Sequence, residues 1–342
     1  MSKRVVSAIL TVRNTENSFK SWSLDFVIAS KIFTFVNLIK DQKTKSKDLI
    51  NRKLFMKICR FGDNRLGLVE GSQVRDVTEV LSILPGYHYP LPKFDPLIQH
   101  WEAVTARIAE LAAKAPVLSL AELKLLSPVT NPTKIVAAPV NYQKHLNEVK
   151  ADASVHHGNV AHTITIHSAG LFLKAVSSLC GAGEGIQLRH LDRRNDHEVE
   201  LVAIIGKQAN NIAASEALQY VAGYAIGLDI TLRGTEDRSF RKSVDSYAVL
   251  GPWIVTADEI ADPGNLDLSI TVNGETRQAS NTKNLILSVP ELIALASSFY
   301  TLYPGDLIYT GTPEGIGPIA PGDHLVASID QIGTMAVDVQ AA

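Results

Sequence analysis

The chain has 342 residues, 46% hydrophobic and 20% charged, with a formal net charge of −2. That composition excludes a disordered chain, and no uncharged apolar run reaches the roughly 18 residues that would cross a bilayer. Two cysteines, Cys59 and Cys180, form neither a disulfide framework nor a CxxC zinc or redox motif, so a reducing compartment and a cytoplasmic location are expected.

The near-neutral total hides a step. Residues 1–55 carry 11 Lys and Arg against four acids, a net of +7, and the remainder carries 22 bases and 31 acids, a net of −9. The apolar stretch LDFVIASKIFTFVNLI (24–39) contains Asp25 and Lys31, lacks an A-x-A cleavage site and lies too far in for a secretory signal. A transit peptide would prefer arginine and avoid acids. The DQKTKSKD tract has no aromatic-basic platform or recognition helix, so no nucleic-acid partner is expected. Residues 1–55 read as a poorly packed basic extension or as an upstream stretch preceding a natural start at Met56.

From Met56, MKICRFGDNRLGLVEGSQVRDVT alternates apolar and polar residues between short turns, which predicts two or three antiparallel strands. PLIQHWEAVTARIAELAAKAP (96–116) spaces Ile98, Trp101, Val104, Ile108 and Leu111 as one amphipathic helix closed by Pro116. PVTNPTK (128–134) is the best linker, giving a small N-terminal α/β domain over 56–130 and a larger domain over 131–342. The larger part is rich in strands, with helices expected only around 215–222 and 289–302. Asn273-Gly274 between alternating segments predicts a tight hairpin, because a type I′ turn needs positive φ at both positions. The class is α+β, mostly β, and a β-roll or barrel fits better than a doubly wound sheet. GAGEG (181–185) lacks the Lys-Ser/Thr of a phosphate loop, and no GxGxxG follows a strand, so nucleotide binding has no support.

Within NDHEVELVAIIG, Glu198 and Glu200 are two apart, which on a strand puts both carboxylates on one face and His197 on the other. The rest of that strand is apolar on both sides, so two acids at its mouth repel unless a cation lies between them. A polar strand edge meeting water is the plainer reading of an isolated ExE, but a second apolar strand, GYAIGLDIT, ends in another acid, Asp229. Three carboxylates suit Mg²⁺, Mn²⁺ or Ca²⁺ better than zinc. His145 and Glu148, three apart in VNYQKHLNEVK, share a helix face, where a carboxylate can hold an imidazole in one tautomer as a general base. Seven of the ten histidines fall between 145 and 197, and SVHHGNVAHTITIHSAG (154–170) reads either as a mobile lid or as a solvated loop.

These pieces stand in an order that carries a resemblance. KIVAAPVNYQKHLNEV, LFLKAVSSLCG, HEVELVAIIGK, YVAGYAIGLDITLR, RKSVDSYAVLGPWI, VNGETRQASNT and LYPGDLIYTGTPEGIG together resemble the fumarylacetoacetate hydrolase family over roughly residues 131–340. The resemblance implies a β-roll catalytic domain in a homodimer, with Mg²⁺, or else Mn²⁺ or Ca²⁺, on Glu198, Glu200 and Asp229. It implies that Lys174 and Lys242 neutralise substrate oxygens, that His145 and Glu148 form the acid-base dyad, and that the TGTP loop (Thr310, Gly311, Thr312) meets the substrate carboxylate. Arg233 and Gln278 match positions near the site. The implied reaction is hydrolysis of a C–C bond in a diketo acid such as an acylpyruvate. Isomerisation, decarboxylation or hydration of a 2-oxo acid is the alternative, and a non-catalytic metal-binding protein the alternative of another class. Ala138-Pro139, Leu228 and Gly234 depart from the family's common residues.

Overall fold

In the computed structural model, residues 56–157 and 164–342 are described, so the expectations for 1–55 and for the middle of the histidine-rich stretch lie outside the described residues. The organising element is a 12-stranded sheet in which short N-terminal strands and the long apolar strands of the larger part are neighbours. Lys57–Phe61 pairs antiparallel with Ala248–Thr256, with Ile58 opposite Ile254, so the N-terminal hairpins extend the central sheet. On one side they cover a small core of their own, in which Met56, Ile58, Leu66 and Leu68 meet Val104 and Ile108.

The helix expected over 96–116 is broken in two, Pro96–Gln99 and Trp101–Ala112, with His100 between them outside helical geometry (φ −103°, ψ 25°). Asp95, 1% exposed, caps the first piece by accepting from the Leu97 and Ile98 N–H groups. Its second oxygen accepts from the N–H groups of Thr130 and Asn131 (both 3.0 Å), which fastens the proline-rich connection to that helix start. Asp306, fully buried, fastens the connection's other end through Thr133 and Lys134. The helix stops at Ala112, four residues before Pro116. A 3₁₀ helix, Ala214–Tyr220, replaces the α-helix expected at 215–222, since Val221 pairs with Ile205 at the start of a central strand. The helix Val289–Phe299 and the hairpin turn at Asn273 (φ 52°) and Gly274 (φ 83°) form as the sequence implies.

Two strands carry the centre. Val199–Ile205 and Val221–Asp229 are buried at every position and pair antiparallel, which is why their sequences are apolar on both faces. Gly227 sits where a Cβ would come within 2.5 Å of both Val202 and Tyr309, so only glycine lets these side chains close over the strand. A separate five-stranded sheet, including the hairpin Asp267–Val272 and Glu275–Asn281, packs against this platform. Leu268, Ile270, Leu325 and Ala327 share one core with Leu201, Ala203 and Leu228, the β-roll expected from the strand-rich pattern. Both cysteines are buried free thiols pushed up to about 12, chiefly by burial, so they pack as small hydrophobes. No helix among the described residues is long and apolar enough to cross a membrane.

Candidate functional site

The two central strands end together, and their ends hold the acids. The Asp229 N–H donates to the Glu198 carbonyl (2.9 Å), which makes these residues cross-strand neighbours, and Glu200 lies two residues along on the same face. One oxygen of each carboxylate lies within 4.8 Å of the others, and all three side chains are buried. The sheet therefore does what the spacing implied: it gathers three acids from two strands at one point and denies them water.

Such a cluster needs positive charge. Lys242 Nζ donates to Glu198 (2.7 Å) and Asp229 (2.6 Å), and Lys174 Nζ contacts Asp229 and donates to the Tyr247 carbonyl (3.0 Å). Arg233 donates to Glu198 (2.8 Å) and to the buried Asp196 (2.7 Å), which Arg194 also meets (2.7 Å). Burial works to raise the Glu198 carboxyl, but Lys242 and Arg233 outweigh it and hold it well below the usual carboxylate range. Glu200 goes the other way, because burial and then the Asp229 charge push its carboxyl up by more than Lys242 pulls it down. One triad member thus resists ionisation unless further positive charge arrives. Burial also lowers the Lys174 ammonium, against the pull of Asp229. Three oxygen donors without histidine or cysteine, one of them short of positive charge, match a hard divalent cation.

Facing the triad across a small cavity is the helix Gln143–Ala151. His145, 4% exposed, lines the cavity, and its Nδ1 meets Glu148 Oε2 at 2.9 Å. The other Glu148 oxygen accepts from the Gly315 N–H (3.0 Å), so this carboxylate joins the helix to the glycine-rich loop. Thr312 lines the same cavity. Its hydroxyl donates to the Val199 carbonyl (2.9 Å) and accepts from the Gln278 amide (2.8 Å). Thr310 is fully buried and donates to the Leu201 carbonyl (2.9 Å), while the Gly311 N–H donates to Glu200 (2.6 Å). Gln278 also accepts from the Val199 N–H (3.0 Å) and meets His197 Nδ1 (3.2 Å). Thr310, Gly311 and Gln278 therefore stand behind the cavity wall and hold the loop against the strand that carries Glu198 and Glu200.

Residues 134–340 match the model of the fumarylacetoacetate (FAA) hydrolase C-terminal family. The chain belongs to the fumarylacetoacetate hydrolase family. It is 59% identical over 286 residues to a maleylpyruvate hydrolase from Aquipseudomonas alcaligenes, covering 84% of this chain and 100% of that one. A crystal structure of maleylpyruvate hydrolase from Sphingobium sp. SYK-6, in complex with manganese(II) ion and pyruvate, superposes with a TM-score of 0.71. That match is at 38% identity and covers 84% of this chain and 100% of that one. A mitochondrial oxaloacetate tautomerase from Homo sapiens is 34% identical over 66% of this chain and 72% of its own length.

In this fumarylacetoacetate hydrolase family member the cavity also holds residues that sequence reasoning passed over. Arg238 and Arg241 line it, both on the short helix Arg238–Arg241, and Phe172 supplies an aromatic wall with Lys242 Nζ 5.5 Å from its ring centroid. The signal available was composition: four of the five residues in RSFRK, all but Ser239, are cationic or aromatic. A four-residue helix has no periodicity to show which way they face.

Proposed function

We propose that this chain is a divalent-metal-dependent hydrolase that splits an acylpyruvate, with maleylpyruvate the first substrate to test, into pyruvate and a carboxylic acid. The observation that carries this reading is the buried Glu198–Glu200–Asp229 triad facing the His145–Glu148 pair across one cavity. Identity of 59% to a maleylpyruvate hydrolase supports the substrate class.

A divalent cation held by Glu198, Glu200 and Asp229, Mg²⁺ or Mn²⁺, would polarise the diketo acid's oxygens and offset the charge that develops as the C–C bond breaks. Glu148 binds Nδ1 of His145, which leaves Nε2 to take a proton from water. The resulting hydroxide adds to the C4 carbonyl, the C3–C4 bond breaks, and its electron pair stays on the three-carbon fragment as an enolate. His145 returns its proton to C3, giving pyruvate, and the other fragment leaves as a carboxylate. Lys174 and Lys242, both buried, place positive charge where the enolate forms. That Thr312 lines the cavity supports the reading that this loop faces the substrate's 1-carboxylate.

The test is an assay of the purified protein with Mg²⁺ or Mn²⁺ on maleylpyruvate, fumarylpyruvate, acetylpyruvate and oxaloacetate. One pyruvate and one carboxylic acid per diketo acid consumed is the expected result. Diketo acids that persist while oxaloacetate tautomerises or loses CO₂ would overturn it. We also propose a homodimer, checked by light scattering.

A further inference from the structure

The reaction above uses the His145–Glu148 pair but leaves open what sets its place relative to the triad. The helix that carries it, Gln143–Ala151, is held at its start by Asn141, whose amide donates to the carbonyls of Leu287 (2.8 Å) and Thr310 (2.9 Å). Along its length Glu148 accepts from the Gly315 N–H (3.0 Å), and Val149 packs with Val155 and Ile316. These ties run to Leu287 and to the glycine-rich loop, not to the strand that carries Glu198 and Glu200.

Arg194 makes that link. Its backbone is fixed on the sheet, because its carbonyl accepts from the Arg233 N–H (2.8 Å). Its Nε donates to Asp196 Oδ1 (2.7 Å), while Arg233 donates to Asp196 Oδ2 (2.7 Å) and to Glu198 (2.8 Å). Arg194 Nη1 reaches the other way, to the Ser154 hydroxyl (2.8 Å) and to Asp152 Oδ2 (3.4 Å). Asp152 ends the dyad helix, its N–H donating to the Glu148 carbonyl (3.1 Å). Its Oδ1 caps the next turn, Ala153–His156, by accepting from the Ser154 N–H (2.8 Å). One guanidinium therefore runs from the end of the dyad helix to a fully buried acid that shares Arg233 with the triad. Pairing Asp196 does not require the outward contact, since Arg233 already meets it. A bridge does require a planar fork, which holds two acids at a fixed separation where a lysine offers one point of charge.

Given the hydrolase reading, on which this inference rests, we propose that Arg194 is a positioning residue that ties the far end of the dyad helix to the strand of the triad and so sets where His145 stands. Its effect passes through His145 and shows in kcat rather than in KM or cation binding.

The double substitution Asp152→Asn with Ser154→Ala cuts the bridge on its outer side, keeps the Oδ1 cap and leaves the buried Asp196 untouched. On maleylpyruvate with Mg²⁺ it should lose about five- to tenfold in kcat, with KM and calorimetric Mg²⁺ affinity within about twofold of wild type. Arg194→Lys should lose as much kcat, and adding it to the cut should cost no more. In the His145→Ala background the cut should cost nothing, since the base it positions is gone. A cut that leaves kcat unchanged, or that costs the same with and without His145, would overturn the assignment. Hydrogen exchange needs no turnover, and the amides of residues 143–151 should exchange at least about threefold faster in the cut variant. Unchanged exchange would overturn the assignment as well. A wild type that cleaves no diketo acid contradicts the hydrolase reading, and the exchange measurement then decides the role of Arg194 alone.

Discussion

Two regions meet at the cavity and are built on different principles. The triad stands on two strands buried at every position, fixed by ladder hydrogen bonds, by the Gly311 N–H on Glu200 and by Gln278 behind the loop. The His145–Glu148 pair rides on a nine-residue helix, joined to the opposite wall by the bond from Glu148 to Gly315. The strands hold charge in a place where it is costly, while the helix presents a proton carrier held by Glu148. Charge on the sheet and a base on the helix divide the work between electrostatics and proton transfer.

The largest effect should separate the two regions. Glu200→Gln removes a cation ligand and should cut turnover on the order of 10³-fold with a matching loss of cation affinity by calorimetry. Its effect on stability runs the opposite way. A carboxyl raised by folding costs stability at pH values above its unfolded range, so in excess chelator at pH 7 the variant should melt no lower than wild type. A lower melting point would mean that Glu200 supports the strand rather than straining it. His145→Ala should lose about 10²-fold in turnover with cation affinity intact, and Glu148→Gln somewhat less, because its amide can still accept from Gly315. Loss of cation affinity in His145→Ala would erase the proposed division.

Smaller effects test the platform and the ends of the chain. Gly227→Ala forces a methyl into Val202 and Tyr309 and should destabilise the fold by about 1–3 kcal/mol, measured by denaturant unfolding. Deleting residues 1–55, which we read as an extension outside the catalytic part, should leave turnover unchanged.

Much of the platform was legible because strand periodicity is a local rule. Glu198 and Glu200 share a face by spacing alone, Asp229 ends the next apolar strand, and the i,i+3 spacing of His145 and Glu148 brings their side chains within 2.9 Å. What the sequence could not show depended on tertiary partners. Thr310, Gly311 and Gln278 have groups suited to a carboxylate, but their bonds go to the backbone and acids of the neighbouring strand. The 3₁₀ turn before Val221 arises where a strand partner outweighs local preference. Arg238 and Arg241 escaped for the same reason, since their place in the cavity is set by the fold around a helix too short to have a face.

The central claim is that water activated at His145 enters the acyl fragment while the C–C bond breaks. Turnover of maleylpyruvate in ¹⁸O-labelled water, with Mn²⁺ and mass analysis of the products, tests it most directly. The account predicts one pyruvate per substrate and a single ¹⁸O in the new carboxylate of maleate. Substrate consumed without labelled maleate, or at an undiminished rate in excess chelator, would contradict it.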